Sequence, residues 1–260
     1  MKKVLLFLFI LIFIPVFGYT QTKIVLGVPE SPPYFSEKLN GQGMVCELLT
    51  AAFKSQGYDV SYQFVPLARL FVTMSEGKVS GIPYGLGSLT PEDQAKVVES
   101  KPVYLSEYVL FYKKAKFPKG ADFKDLSELK GYTVEVKNGN NPIIDLLTSK
   151  GLKIDLGNAS DQMFLKLGVD RADFIAIPDL GGLDLIKTLN LKEDDYDYTK
   201  FISSSNRTMM FMKTGNEKMI AAFNAGYTSI MKNGTYKKIL EKYYGTGKIP
   251  ASVLKLVSVW

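Results

Sequence analysis

The chain contains no histidine and one cysteine, Cys46. The first absence removes the commonest general base and metal ligand, the second removes any paired thiolate site, and no spacing of acidic residues suggests a metal cluster. These absences weigh against most hydrolases while leaving carboxylate chemistry open, and neither metal nor cofactor is expected. A lone thiol also excludes an internal disulfide. Stability must come from burial, and a chain of this length hides roughly three quarters of its extended surface. Long runs of like charge are missing too. Lysines such as Lys113-Lys114 and Lys237-Lys238 are scattered among acidic residues, so the formal +6 describes a solvated surface and not a nucleic-acid partner.

What is present begins at the N-terminus. Met1-Lys2-Lys3 precedes an apolar run from Val4 to Phe17, then Gly18 and the polar Tyr19-Thr20-Gln21-Thr22. The run is shorter than the ~20 apolar residues that a membrane span needs, and its flanks fit a secretory signal peptide over residues 1–18, cleaved after Gly18. An uncleaved anchor is the alternative; in either case the remainder is expected outside the cytoplasm, periplasmic or otherwise extracytoplasmic. Cys46 is too far along to be the lipid-modified cysteine of a lipoprotein.

From Lys23 the pattern alternates between strands and helices. Lys23 to Val28 reads as a strand stopped by Pro29 and Pro32-Pro33; Met44, Leu48, Leu49, Ala52 and Phe53 recur at helical spacing; Val60 to Val65 alternates as a strand. A helix over 67–74, a strand over 79–84 and a strand over 104–112 follow. The charged segment 113–122, broken by Pro118 and Gly120, is expected to be the first crossing into a second unit. There the pattern restarts: strands near 133–136, 153–156 and 174–177, helices near 143–149, 162–168 and 183–189. The strand 208–212 and the helices 217–231 and 236–244 read as a return to the first unit. Such alternation implies largely parallel sheets.

Several stretches resemble family 3 of the bacterial extracytoplasmic solute-binding proteins, whose best-known members serve polar amino acid transporters. Asn233-Gly234-Thr235-Tyr236-Lys237-Lys238-Ile239-Leu240-Glu241-Lys242-Tyr243-Tyr244-Gly245 resembles the family's closing helix. Leu89-Thr90-Pro91-Glu92 with Ser100-Lys101-Pro102-Val103-Tyr104, and Asp125 to Gly131, are similar to its internal motifs. Gly43 to Leu48 matches in part, with Val45 in place of a carboxylate. The resemblance implies a two-lobed α/β fold of the type 2 periplasmic binding protein kind, each lobe a mixed, mostly parallel sheet flanked by helices, with two hinge crossings. Lobe one would comprise 23–112 plus 208–260, and lobe two 113–207. It implies a monomeric, non-enzymatic receptor that closes on a small polar solute and delivers it to a membrane permease of an ABC-type transporter. The alternatives are a periplasmic enzyme of this fold, similar to a cyclohexadienyl dehydratase with Glu30 as a lone acid, and a ligand-sensing module that needs a separate signalling partner.

Solutes in open α/β sheets lie against loops at the carboxyl ends of strands. Those loops, together with the resemblance, point to Glu30, Ser31, Tyr34, Leu67, Arg69, Tyr84, Ser88, Thr90, Asn140, Asn141 and Asp179 as ligand-binding residues. Tyr34 and Tyr84 would stack on the solute, and Asn140-Asn141 would offer donors at a helix N-terminus. Asp179 or Glu30 would accept an ammonium. The family's carboxylate-gripping arginine is Asp93 in this chain, which leaves the charge of the solute open, and Arg69 is the available replacement.

Overall fold

The computed structural model describes residues 21–260, so the expected signal peptide lies outside the described residues. Strand β1 (Thr22–Val28) and strand β2 (Tyr58–Phe64) pair in parallel around helix α1 (Met44–Lys54). Helix α2 (Leu70–Ser75) leads to β3 (Ile82–Tyr84), and the short α3 (Pro91–Gln94) to the 17-residue β4 (Val97–Lys113). Next come β5 (Thr133–Lys137), α4 (Asn141–Ser149), β6 (Lys153–Gly157), α5 (Ser160–Gly168), β7 (Phe174–Pro178), α6 (Asp179–Thr188) and β8 (Tyr196–Tyr198). The chain returns through β9 (Ser203–Met212) to α7 (Glu217–Lys232), α8 (Thr235–Tyr244) and α9 (Ala251–Leu254).

A mixed sheet runs β3-β9-β4-β7-β5-β6, with β8 also on β4, and an isolated bridge from Leu26 to Gly81 brings β1 and β2 alongside β3. Pairing within the β5, β6 and β7 group is parallel, whereas β4 runs antiparallel to β7, β8 and β9. The antiparallel share exceeds what simple alternation implies, because the long β4 passes through both halves and pairs antiparallel with β9, β7 and β8 along its length.

Four apolar clusters cover the sheet. Val103, Tyr104, Met209 and Phe211 pack into one with α1, α7 and α8, while Val97 and Met210 face the other side with Leu70 and Met74. Further along, Leu110 and Tyr112 join a cluster with Val134 and Phe174, and Val109 and Phe111 join another with Met163 and Ile175. Each half is thus a sheet with helices on both faces. The change of core falls inside β4, between Tyr104 and Val109, ahead of the segment 113–122.

The first half is tightly bound. Gly226 lets α7 lie directly on α1, since a methyl group there would sit 2.1 Å from the Ala52 carbonyl oxygen. Glu47 of α1 accepts hydrogen bonds from Lys242 and Tyr243 of α8, so the closing helix is clamped onto the opening one. Gly43 has φ of 104°, and a side chain there would meet the Tyr34 carbonyl oxygen at 2.6 Å. That close approach holds the loop 31–36 over the gap between the halves.

Candidate functional site

Strands β4 and β9 form a two-stranded ribbon where the cores change over. Tyr104 lies opposite Arg207, Ser106 opposite Ser205 and Tyr108 opposite Ser203. Side chains alternate between faces along a strand, so these pairs share the front face. Leu105 with Asn206, and Glu107 with Ser204, share the back.

The front face floors a cleft with two arms, of about 870 and 680 Å³. Leu67, Ala68, Tyr84, Tyr108, Asn140 and Arg207 wall both arms. The larger arm is closed on one side by Gly85 to Leu89 and on the other by Asn138 to Ile143, one segment from each half. The smaller arm lies between Glu30, Ser31 and Tyr34 of the first half and Lys137, Asn158 and Pro178 of the second.

Of the residues expected at the site, Glu30, Ser31, Tyr34, Leu67, Tyr84, Ser88, Asn140 and Asn141 line the cleft. Tyr34 is chiefly a core residue: it is buried and its ring lies 5.7 Å from that of Tyr104. Ser88 donates to the Gly85 carbonyl oxygen, and Glu30 accepts from the Glu37 backbone N–H at 3.1 Å. Asn140 is buried at 8% exposure, and its Nδ2 has no hydrogen-bond partner.

Arg69, Thr90 and Asp179 lie elsewhere. Arg69 ends an exposed 3-10 turn and borders neither arm. Thr90 caps α3, accepting from the Asp93 N–H. Asp93 pairs with Lys96 at 2.9 Å, and that contact holds its carboxyl below the ordinary range. Asp179 follows Pro178, which lines the cleft; the pairing of Tyr108 with Pro178 sets the next residue beside Glu107, on the back of the ribbon. A step of one residue moves a side chain to the other face. Burial pushes the Asp179 carboxyl up to about 6, against the opposing effect of the Leu180 N–H, and Glu107 raises it further.

Sequence reasoning did not find Arg207 or Lys137. Arg207 is half-buried, with its guanidinium carbon 4.5 Å from the centroid of the Tyr84 ring. Burial works against its charge, but Tyr104, Tyr84 and Tyr108 more than offset this, and its pKa stands above the ordinary arginine value. Burial also pushes the Tyr108 hydroxyl up to about 12, with Arg207 opposing. Lys137 stands across the smaller arm, its pKa lowered by burial while Glu30 supports its charge. The signal for Arg207 was the period-two run Ser203, Ser205, Arg207, which continues the apolar strand that follows.

The cleft therefore offers cations and anions on opposed walls, tyrosine faces and amide donors, an arrangement suited to holding a charged polar molecule. Among the described residues no group of three metal-ligating side chains occurs.

Comparison with known proteins gives a consistent frame. The model of the bacterial extracellular solute-binding proteins, family 3, matches residues 24–246. The L-cystine-binding protein TcyJ of Escherichia coli (strain K12) is 24% identical over 220 residues, 82% of this chain and 79% of that one. Among solved structures, a histidine kinase sensor domain with similarity to periplasmic binding proteins superposes with a TM-score of 0.71 at 18% identity, covering 87% of this chain and 97% of the other. An ancestral arginine-binding protein bound to arginine gives 0.68 at 22% identity, covering 87% and 100%.

Proposed function

Because the chain belongs to the bacterial extracellular solute-binding proteins, family 3, we propose that it is a receptor that closes two lobes on an amino acid or related small polar solute and hands it to an ABC-type permease. The lobes of this reading are hinged on the β4–β9 ribbon, the first ending where the cores change over between Tyr104 and Val109, ahead of the expected boundary at 112, and resuming with 208–260. The protein acts as an exported monomer whose signal peptide is removed.

One observation carries the reading: a cleft with polar and charged walls lies where separately packed cores meet, at the point where β4 passes from one to the other with β9 paired beside it. A solute that touches both walls makes contacts available only in the closed form, and so shifts an open–closed equilibrium. Glu30, Ser31, Tyr34, Leu67, Tyr84 and Ser88 would serve from one wall, Asn140 and Asn141 from the other.

The test is thermal-shift screening against amino acids, small organic acids and amines, followed by small-angle scattering with each hit. A solute at 100 times its dissociation constant adds about 2.7 kcal/mol of stability, and closure reduces the radius of gyration. Asn141→Ala should weaken binding while leaving the melting transition intact; loss of that transition would make Asn141 structural. Uniform indifference to every solute would defeat the proposal.

A sensor reading draws support from the likeness to the histidine kinase sensor domain. Pull-down of the closed protein with a membrane kinase, and not with a permease, would favour it. Formation of an aromatic product from prephenate or arogenate would instead show turnover and refute a pure receptor.

A further inference from the structure

Resting on that receptor reading, we propose that Arg207 is the anion-binding residue of the cleft, that Asn140 is its second donor, and that the solute is therefore a carboxylate. Arg207 borders both arms of the cleft from the ribbon, opposite Tyr104. The groups beside it are tyrosines, the hydroxyls of Tyr104 and Tyr108 raised by burial and so protonated and neutral, and among the described residues no carboxylate forms an ion pair with it. By contrast, other half-buried cations of the chain are neutralised: Lys113 by Asp170 and Lys166 by Glu135. The Tyr84 ring at 4.5 Å holds the guanidinium plane in place. A positioned, partly desolvated and unneutralised guanidinium is a site awaiting an anion.

Asn140 supplies an independent observation. It comes from the opposite wall, is more than nine-tenths buried, and its Nδ2 lacks an acceptor although the Tyr108 hydroxyl is near both it and Arg207. A buried donor left unsatisfied is costly. One planar group with two acceptor oxygens satisfies both residues at once, and the N-terminus of the nine-residue α4 that follows Asn140 favours the same charge. Because Arg207 lies on the ribbon and Asn140 on the second wall, the carboxylate ties the two together. No other cleft cation competes well. Lys137 faces Glu30, Lys38 is exposed, and Lys96 is bound to Asp93 outside the cleft.

The experiment titrates the native protein and Arg207→Gln with L-cystine, L-arginine, L-glutamine and L-histidine and with the methyl ester of each. For whichever acid binds, esterification should weaken native binding about 10- to 100-fold, the range for lost charge-assisted hydrogen bonds. Arg207→Gln should weaken the acid to a similar degree and leave the ester unchanged, and Asn140→Ala should weaken the acid about tenfold. Equal affinity for acid and ester, or native affinity in a folded Arg207→Gln protein, overturns the inference. Should that variant fail to fold, the acid-against-ester comparison on native protein decides alone. A native protein that closes only on amines or uncharged solutes overturns this inference and spares the receptor reading; one that binds nothing overturns both.

Discussion

The two faces of the β4–β9 ribbon are made from adjacent residues and have opposite electrostatic fates. In front, Arg207 stands among tyrosine rings with open cleft before it. Behind, Glu107 is buried at 3% exposure, bonded to Ser252, with the buried Asp179 beside it. The chain's last residues seal that side: Val253 and Leu256 enter the first core, and the Trp260 indole donates to the Pro102 carbonyl oxygen. Period-two alternation thus sorts a cation toward the cleft and two acids away from it. A charge facing a cleft can await a partner from solution; a charge sealed behind must be hydrogen-bonded or protonated.

The largest expected effect follows from that sealed side. Burial raises the Asp179 pKa from 3.8 to about 6, so the folded protein keeps a proton that the unfolded chain has released. Stability from this group is full below about pH 4 and is lost as pH rises through 6, by roughly 2–3 kcal/mol in all. Asp179→Asn should therefore raise the melting temperature above pH 6 and reduce the downward slope between pH 4 and 6. Glu107, whose pKa burial also raises, supplies a remaining slope of the same sign. Melts across pH 4 to 8 check this, and an unchanged slope would show that the acids behind the ribbon are solvated.

On the front, Tyr84→Ala removes the ring beside Arg207 and should cost about 0.5–2 kcal/mol in stability from the cation–π contact, besides the packing lost. Tyr84→Phe keeps the ring and should stay within about 0.5 kcal/mol of the native protein. Denaturant titration of both variants separates ring from hydroxyl. If the phenylalanine variant is the weaker one, the hydroxyl matters and the ring does not. Ser252→Ala, behind, should cost about 1 kcal/mol by deleting the bond to Glu107. Since that bond lowers the Glu107 pKa, its loss should also steepen the fall in stability with rising pH.

How far the sequence reveals this arrangement depends on which force shapes each segment. Apolar periodicity marks α1, where Met44, Leu48, Leu49, Ala52 and Phe53 are all buried, and it marks β5 and β7 equally well. It fails at Ser203 to Arg207, because a strand that floors a polar cleft has no apolar face to display. The crossing is expected at 113–122 because β4 is apolar on both sides of the changeover, with Val103 and Tyr104 in one core and Val109 to Tyr112 in the others, so its pattern shows no break there. Helix α6 begins at Asp179, earlier than the apolar spacing suggests, since Gly181 and Gly182 carry no hydrophobic signal although Gly182 packs on the Phe111 ring. Eight of the expected site residues reach the cleft because strand ends are legible. Asp179 does not, because one step beyond a strand decides the face, and that step is fixed by pairing with β4.

The smallest expected effect concerns Arg69, the cation that the sequence offers first. It lies on an exposed turn whose neighbours Leu67 and Ala68 wall the cleft while its own side chain does not. Glu76 feels its charge from the outer side. An exposed arginine of this kind contributes within about 0.5 kcal/mol to stability. Arg69→Ala should accordingly bind any identified acid with native affinity, measured in the same titration that finds Arg207→Gln weakened. A loss at Arg69 equal to that at Arg207 would mean that the turn moves inward on closure, and the division of charge between the two arginines would then be set by lobe motion and not by the ribbon alone.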